Sequence, residues 1–342
     1  MPKTAKSSVS ENITDVQFNV THVQFNFTHV QRPTVEPIFA CWRIFLATFF
    51  RWTFWLLSFI PPHWAVAIGR GVARVMIFFN ADSYRISKIN VDHSLPNKTA
   101  QEREQIVFHS LAQTTLLPVE FAHLLHRPIE ELMGQIVSVE GEHLLRDAWA
   151  EGNGVLMLMP HFGCWEFMSL YLGSDYKVSA LYTPPNLPSL EPTILQARER
   201  QGATLFPTTA AGLRGLVRGM KAGHVVVLLP DQVPTGEGGG VMSKFFGQDA
   251  LTMSLAKRIA KVGQPKIIMA CAWRSVKSDG IGYNISFELP DSGISSPDEK
   301  VYAAALNNSV QKIAEKDLAQ YQWSYKRFRR LGPDKEDIYR RQ

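Results

Sequence analysis

The sequence predicts an α/β fold in which a mixed, largely parallel sheet is flanked by helices and preceded by an N-terminal membrane-anchoring helix. Short continuous apolar runs alternate with helix-like segments beyond residue 136, and a long apolar run occupies residues 38–60. The chain has 342 residues, 45% of them hydrophobic, which is enough for one large domain and an appendage. Its formal net charge of +5 favours an anionic partner, of which nucleic acid and anionic lipid are the usual kinds.

Residues 1–36 form a polar leader that contains a short tandem repeat. The segment VQFNVTH at 16–22 is followed at once by VQFNFTH at 23–29. Two copies are too few for a repeat architecture, which needs about three units to bury a core. We expect a poorly ordered leader, with a small hairpin as the alternative.

Residues 37–62 are predicted to form the membrane-anchoring helix, which Pro61 and Pro62 end. The apolar run is long enough to span a bilayer. Arg43 and Arg51 oppose a simple span, because an arginine near the bilayer centre costs about 2.5–3.5 kcal/mol on insertion scales. Three tryptophans suit the membrane interface instead. The helix therefore either spans with snorkelling arginines or lies half-immersed, and a buried core helix is the alternative without a membrane.

Basic residues are more frequent just after this helix than before it. This bias would leave the large C-terminal part in the cytoplasm. The residues after the helix are Arg70, Arg74, Arg85 and Lys88, against Lys3, Lys6 and Arg32 before it.

The pattern beyond the anchor predicts the elements of the sheet. Strands are predicted at 154–159, 178–182, 225–230, 267–273 and, with more alternation, 283–290. Helices are predicted at 64–80, 100–126, 164–173, 188–201, 210–222, 252–263 and 298–318. Continuous apolar strands separated by helices are typical of parallel pairs covered on both faces. In such sheets the chemistry lies at the carboxyl ends of the strands.

His161 follows the strand at 154–159, and Glu166 comes five residues later. Pro160 fixes the chain as it leaves the strand and Gly163 permits a tight turn, so Glu166 is expected in the first turn of the next helix. Its carboxylate could bond one imidazole nitrogen and stabilise the imidazolium, while the other nitrogen takes a proton from a hydroxyl. The pair is predicted to be a general-base dyad. The alternative is a histidine satisfied by a helix-capping glutamate.

Cysteine chemistry is a weaker possibility. Cys164 lies beside His161 and raises a cysteine nucleophile as a rival. Together with Cys41 and Cys271 it lacks zinc spacing, so free thiols in a reducing compartment are expected.

Metal, nucleotide and nucleic-acid sites find little support. His123 and His126 lie three residues apart without a carboxylate at ligand spacing, which favours packing or surface roles. No P-loop, GxGxxG or GxSxG motif follows a strand, and no nucleic-acid-binding module is recognisable. We therefore predict no metal and no diffusible cofactor.

The segment from His161 to Glu166, HFGCWE, resembles the His-x4-Asp/Glu motif of glycerolipid-type acyltransferases. With GVLML before it, it resembles in particular the lipid A biosynthesis late acyltransferases, the lauroyl and myristoyl transferase family. Further blocks recur in the family's order over about residues 37–330. They are LSFIPPHWAVAIGRGVARV, ISKINVDHSLPNKTAQERE, VEGEHLL, RERQG, AGHVVVLLPDQ, FFGQDALT and YQWSYKRFRR.

This resemblance implies that a fatty acyl group moves from acyl carrier protein to a hydroxyl of a lipid A precursor. His161 would deprotonate the acceptor hydroxyl and Glu166 would orient it. Arg198, in RERQG, matches a family arginine thought to stabilise negative charge on the thioester oxygen or to bind phosphate. A guanidinium near a developing oxyanion is chemically suited to that role.

Four further residues are expected to bind substrate: Asn186, Arg200, Asp231 and Gln232. Arg200 is close in register to Arg198, and Asp231 in LLPDQ matches a further family position, with a turn or helix cap as an equal alternative. The chain departs from the family near Asn186, where YTPPN replaces a common Tyr-Arg-Pro. Near the C-terminus WSYKR replaces Trp-x-His-Arg-Arg.

The implied organisation is an acyltransferase domain at 63–330 and a basic C-terminal tail at 331–342. The implied location is the bacterial inner membrane, with the catalytic domain on its cytoplasmic face. The partners would be acyl carrier protein as co-substrate, the lipid A precursor and membrane phospholipids, without nucleic acid. One alternative is the same chemistry on another glycolipid or a lysophospholipid. The other is a membrane lipid-binding scaffold with an inert His-Glu pair.

Overall fold

The computed structural model describes residues 36–185, 187–234, 239–277, 280–330 and 337–340, with side chains from residue 45 onward. Nearly all of the predicted leader, with its repeat at 16–29, lies outside the described residues. So does most of the predicted basic tail at 331–342.

The described chain contains nine strands. Their bounds are β1 (Ile136–Glu140), β2 (Val155–Leu158), β3 (Val178–Tyr182), β4 (Thr204–Pro207), β5 (Val225–Leu228), β6 (Gly240–Phe245), β7 (Gln248–Met253), β8 (Lys266–Lys277) and β9 (Gly280–Glu288). Seven of them form one sheet in the order β1-β9-β8-β2-β5-β3-β4, and β6 and β7 form a separate antiparallel hairpin. Every neighbouring pair of the large sheet is parallel except β8 and β9. The predicted mixed, largely parallel sheet is thereby confirmed.

Twelve α-helices flank these strands in the described chain. They are α1 (Glu36–Leu57), α2 (Pro62–Phe78), α3 (Asp82–Ser94), α4 (Ala100–Thr114), α5 (Leu117–His126), α6 (Ile129–Met133), α7 (Glu142–Ala150), α8 (Phe167–Gly173), α9 (Glu191–Glu199), α10 (Ala210–Lys221), α11 (Leu255–Ala260) and α12 (Glu299–Ala314). The helix predicted at 100–126 is thus two helices. Pro118 accounts for the break, because it lacks an amide hydrogen and is tolerated only in the first turn of a new helix.

β2 lies at the centre of the sheet, between β8 and β5. All four of its residues are buried, and they alternate between two hydrophobic clusters. Val155 and Met157 join the cluster on one side, while Leu156 and Leu158 join the cluster on the other. A strand covered on both faces is apolar throughout, which explains the unbroken run that predicted it.

α1 and α2 carry many exposed apolar side chains. They are Phe45, Phe49, Trp52, Trp55, Leu56, Trp64, Ile68, Val72, Val75 and Phe78, with Phe59 between the two helices and Phe79 just after α2. Among the described residues, no single helix is both long enough and apolar enough to cross a bilayer. α2 and α3 taken together are long and apolar enough, but the chain bends by 87° between them.

Candidate active site

His161 and Asp231 follow the carboxyl ends of two adjacent strands. β2 and β5 pair in parallel, with Leu158 opposite Leu228. Each polar residue lies three positions beyond its leucine, in the matching sequences VLMLMPH and VVVLLPD. Equal offsets from a paired position bring the two side chains to the same point on the sheet edge.

Asp231 binds His161 with both carboxylate oxygens. Nδ1 of the imidazole donates to Oδ1 at 2.8 Å, and the backbone amide of His161 donates to Oδ2 at 2.9 Å. Since an ionised carboxylate only accepts, the proton of the neutral ring lies on Nδ1. Nε2 is then the basic nitrogen, and it accepts a hydrogen bond from the side-chain amide of Gln232 at 3.1 Å. The Nε2 lone pair therefore points to the Gln232 amide, which lines the same cleft as the imidazole.

Asp231 is 4% exposed and is nevertheless favoured as an anion. Burial alone would raise its pKa, but the charge of the His161 ring and two hydrogen bonds from His161 outweigh it, so the pKa lies below its usual value. A buried carboxylate that stays ionised can stabilise the imidazolium formed when His161 takes a proton.

Glu166 does not bind His161, which corrects the predicted His-Glu pair. The glutamate lies just before α8, without a side-chain capping bond, and faces the last turn of α9, where Nε of Arg198 donates to its Oε2 at 2.8 Å. Nη2 of Arg198 donates to Oε1, completing a bidentate ion pair. The local turn carries Glu166 towards α9, while the strand pairing delivers Asp231 to the imidazole.

The ion pair fixes Arg198 beside the turn that carries His161. Burial on its own disfavours the guanidinium cation, but the Glu166 carboxylate outweighs it and raises the pKa of Arg198. Nε and Nη2 are both used by Glu166. Nη1 is left as a donor for a further negative charge.

The remaining predicted site residues separate in space. Gln232 lies at the imidazole, as described above. Arg200 instead donates through Nη1 to the backbone oxygen of Leu124 on α5, at 2.8 Å. Asn186 lies outside the described residues.

Cys164 is fully buried as a free thiol behind the turn. Burial is the largest cause that raises its pKa well above the usual value. A protonated, inaccessible thiol is a poor nucleophile, so the geometry does not favour the cysteine rival.

A C-terminal segment that sequence reasoning did not place at the site forms one wall of it. Tyr321 pairs with Phe162 in an isolated bridge, and the amide of Gln322 donates to the His161 oxygen at 3.0 Å. The cleft around the imidazole is lined by Asn90, His161, Asp231, Gln232, Phe245, Tyr321, Gln322, Trp323, Tyr325 and Arg327. The sequence signal that could have indicated this wall is YQWSY, in which every second residue is aromatic while the neighbouring sequence is polar.

Arg327 is a buried cation in this wall. Its guanidinium donates to the Leu251 oxygen at 2.7 Å, to Asn307 Oδ1 at 3.2 Å and to Thr252 Oγ1 at 3.3 Å. All three acceptors are uncharged, and burial lowers the pKa of Arg327. Tyr321 lies nearby, and its pKa is raised first by burial and then by the Asp231 carboxylate. The cleft thus contains one buried anion and one buried cation in addition to the histidine.

Within the described ranges, no group of three or more histidine, cysteine, aspartate or glutamate side chains is arranged to hold a metal ion. The chemistry available from these side chains is acid–base transfer at His161, supported by Asp231.

Comparison with known proteins shows the family of the chain. A family model described as "Bacterial lipid A biosynthesis acyltransferase" matches residues 33–330. The match covers α1, the whole sheet and the C-terminal wall of the cleft.

Curated relatives are distant in sequence but similar along most of their length. The chain is 24% identical to the lipid A biosynthesis palmitoleoyltransferase of Escherichia coli K12, over 87% of this chain and 95% of the relative. It is 22% identical to the lauroyltransferase of the same organism, over 80% and 88%. It is 21% identical to the myristoyltransferase, over 85% and 91%.

Proposed function

The chain belongs to the bacterial lipid A biosynthesis acyltransferase family, and we propose that it transfers a fatty acyl chain from acyl carrier protein to a hydroxyl of a lipid A precursor. The observation that carries this proposal is the His161–Asp231 pair. A 2.8 Å hydrogen bond on Nδ1 leaves Nε2 as a base in a cleft at the carboxyl edge of the sheet. A direct transfer needs such a base, because a hydroxyl must lose its proton to attack a thioester.

In the proposed reaction, Nε2 of His161 takes the proton of the acceptor hydroxyl. The oxygen attacks the thioester carbonyl and forms a tetrahedral intermediate. Asp231 stabilises the imidazolium by holding its Nδ1–H. When the intermediate collapses, the C–S bond breaks, and the imidazolium returns the proton to the leaving thiol. An ester and a free carrier thiol result.

The negative charge on the carbonyl oxygen requires a donor, and we assign this role to Arg198. Its raised pKa keeps it cationic, and its bidentate bond to Glu166 holds the guanidinium in place. A fixed cation stabilises a developing oxyanion without reorganising during the reaction. In this proposal Glu166 positions Arg198 rather than His161.

Acyl carrier protein is proposed as the donor because its acidic surface would match basic side chains at the cleft. Arg329 donates to the Val233 oxygen at 3.3 Å, and Arg330 donates to the Pro234 oxygen at 3.2 Å. Both arginines therefore border the loop that begins at Gln232. Complementary charge mainly raises the rate of encounter with an acidic partner.

A membrane location is proposed from the exposed apolar surface of α1 and α2. Trp64 is 63% exposed and Phe78 is 82% exposed, at opposite ends of α2. Such a surface is unfavourable in water and is typical of a membrane or protein contact. We propose the bacterial inner membrane, with the catalytic domain on the cytoplasmic face, where acyl carrier protein is available.

The test is a transfer assay in detergent with wild type, His161→Ala and the control His143→Ala. Acyl carrier protein thioesters of mixed chain length are offered with an under-acylated lipid A precursor, and products are weighed by mass spectrometry. Wild type and His143→Ala should add one acyl unit, because His143 is an exposed residue of α7, while His161→Ala should lose the activity.

The other outcomes identify the alternatives. No product with folded wild type would reject the lipid A precursor, and the assay would be repeated with another glycolipid and a lysophospholipid. An undiminished product with His161→Ala would reject the proposed base and leave an inert His–Asp pair.

A further inference from the structure

A surface cleft between α1 and α5 contains basic side chains that the proposed reaction does not use. It is lined by Thr48, Arg51, Trp52, Trp55 and His126. The two tryptophan rings meet edge to face, with centroids 5.3 Å apart. Trp52 is 59% exposed, so the cleft opens onto the apolar surface of α1.

Two basic side chains, Arg51 and His126, line this cleft, and a third, Arg200, lies near it. Burial is the first cause that lowers the pKa of His126, and the charges of Arg200 and Arg51 lower it further. Arg200 donates a hydrogen bond to the backbone oxygen of Leu124 on α5. Arg51 and His126 line the cleft, and Arg200 lies close to it, because the Leu124 oxygen that it binds is two residues from His126.

No carboxylate balances these charges within the described part of the chain. Neither Arg51 nor Arg200 forms a salt bridge there, although nearby Arg127 pairs with Glu131 at 2.5 Å. Like charges held close together repel one another unless an anion lies between them. Arginine is also the side chain best suited to phosphate, which its planar guanidinium binds through two parallel hydrogen bonds.

The exposed face of α1 next to the cleft distinguishes a lipid from a soluble anion. Phe45, Phe49 and Leu56 are exposed on the helix face that includes Trp52. A soluble anion would use the basic groups alone and leave these side chains in water. A lipid would use both, because its headgroup can meet the cations while its chains cover the apolar face. Tryptophans at the rim suit the level of the lipid headgroups.

We propose that Arg51, Arg200 and His126 bind the phosphate group of an anionic membrane phospholipid. The inference rests on the membrane location proposed above. It also explains an arginine in the middle of an apolar helix, since Arg51 reaches a headgroup rather than the hydrocarbon. The site would fix the depth and rotation of α1 at the membrane surface.

The test compares vesicle binding of three variants in a His161→Ala background, so that no acyl transfer contributes. Vesicles contain phosphatidylcholine alone or phosphatidylcholine with phosphatidylglycerol, and binding is measured by flotation. The variants are Arg51→Gln, Arg51→Lys and the charge-matched control Arg70→Gln. Arg70 is an exposed arginine of α2 that does not line the cleft.

Arg51→Gln should reduce the preference for phosphatidylglycerol by about fivefold, the usual effect of one basic residue near an anionic surface. Arg51→Lys should lose part of the preference, because it keeps the charge without the planar fork. Arg70→Gln should lose less than Arg51→Gln. Equal losses in Arg51→Gln and Arg70→Gln would mean diffuse attraction and would overturn the site.

Two competition experiments separate the possible phosphate sources. Inorganic phosphate at the concentration of the lipid phosphate should not release the protein from the vesicles, and release would indicate a soluble-anion site. Lipid A precursor added in detergent should not displace phosphatidylglycerol, and displacement would assign the cleft to the acceptor. If wild type fails in the transfer assay while the phosphatidylglycerol preference persists, the proposed function fails and this inference stands.

Discussion

At the scale of single residues, the decisive feature is which carboxylate binds His161. Asp231 occupies Nδ1 and the backbone amide of the histidine, while Glu166 is fully engaged with Arg198. In the proposed reaction the two carboxylates have different tasks. Asp231 would orient the base, and Glu166 would position the Arg198 cation.

Replacing the two carboxylates separately should distinguish these tasks. We expect Asp231→Asn to lower kcat by about 10²–10⁴-fold, because an amide no longer stabilises the imidazolium or fixes its tautomer. Glu166→Gln should cause a smaller loss, of about tenfold, because the base remains intact and the amide still accepts from Arg198. Steady-state kinetics of acyl transfer measure both. A larger loss in Glu166→Gln than in Asp231→Asn would restore the His-Glu dyad.

Asp231 should also leave a signature in the pH dependence of stability. Its pKa in the folded protein lies below the usual value of about 3.9 that it regains on unfolding. The ionised carboxylate therefore stabilises the folded protein at pH values above the pKa that Asp231 has in the unfolded chain. This stabilisation is lost as the pH falls through the lower pKa that Asp231 has in the folded protein. The difference in unfolding free energy between wild type and Asp231→Asn should be constant above about pH 5 and shrink below about pH 4. Urea denaturation at a series of pH values measures it, and a difference that grows towards acid pH contradicts the assignment.

At the scale of elements, the turn between β2 and α8 sets the position of the histidine. Gly163 has a φ of 58° and passes against β8, where its neighbour Cys164 donates to the Ala272 oxygen at 2.8 Å. A Cβ on Gly163 would overlap that oxygen far inside van der Waals contact. The turn therefore needs glycine for both its backbone conformation and its close approach to the strand.

Two alanine substitutions separate these requirements. Gly152 has a φ of 80° but open space around it. We expect Gly152→Ala to cost about 1 kcal/mol through backbone strain alone, with activity retained. Gly163→Ala should cost about 3 kcal/mol or more and reduce kcat, because β8 must move away from the turn. Equal destabilisation by the two, measured by urea denaturation, would mean that the contact with Ala272 is unimportant.

A buried ion pair joins α5 to the sheet. Arg274 on β8 donates through Nε and Nη2 to Glu120, at 2.5 Å and 2.6 Å, and Tyr283 on β9 donates to the same carboxylate at 3.0 Å. The two charged side chains are only 1% and 4% exposed. Loss of either charge would leave the other buried without compensation.

Glu120→Gln should therefore lower the free energy of unfolding by about 3–5 kcal/mol. The control is Glu131→Gln, which breaks the partly exposed pair with Arg127 and should cost at most about 1 kcal/mol. Chemical denaturation compares the two. A loss below 1 kcal/mol in Glu120→Gln would mean that the buried pair is replaceable by neutral hydrogen bonds.

At the scale of the whole molecule, an apolar surface and a basic balance of charge occur together. α1 and α2 present the apolar side chains, and the chain carries a net charge of +5. The proposed function, a membrane-bound enzyme with an acidic protein donor, would use both features. The apolar surface would favour the bilayer, and the positive charge would favour encounter with the carrier.

Salt should therefore weaken the use of the carrier-bound donor. Raising ionic strength shortens the screening length from about 8 Å at 0.15 M to about 3 Å at 1 M. We expect KM for the acyl carrier protein thioester to rise severalfold with little change in kcat. An uncharged acyl-pantetheine thioester is the matched control, and its KM should not change. A parallel rise for both donors would show that salt acts on the acceptor or on the fold.

Much of the fold was predictable because its signals are local. The five predicted strands appear as β2, β3, β5, β8 and β9, since buried strands are apolar over their whole length. β1 and β4 were missed, because edge strands are only partly buried and lack that signal. The hairpin of β6 and β7 was missed for the same reason, as its residues alternate weakly between apolar and polar.

The sequence by itself determined that a histidine stands beyond the carboxyl end of a central strand, in a chain resembling the acyltransferase family. It could not determine the partner of that histidine. Along the chain only Glu166, five residues away, stands close enough to suggest itself as the partner. The spacing of 70 to Asp231 becomes a contact only when β2 and β5 pair. Parallel pairing brings the two strand ends together, and the turn of the chain carries the nearer carboxylate away to Arg198. Only the tertiary structure decides whether Glu166 or Asp231 binds the histidine, since a hydrogen bond depends on distance in space and not on spacing along the chain.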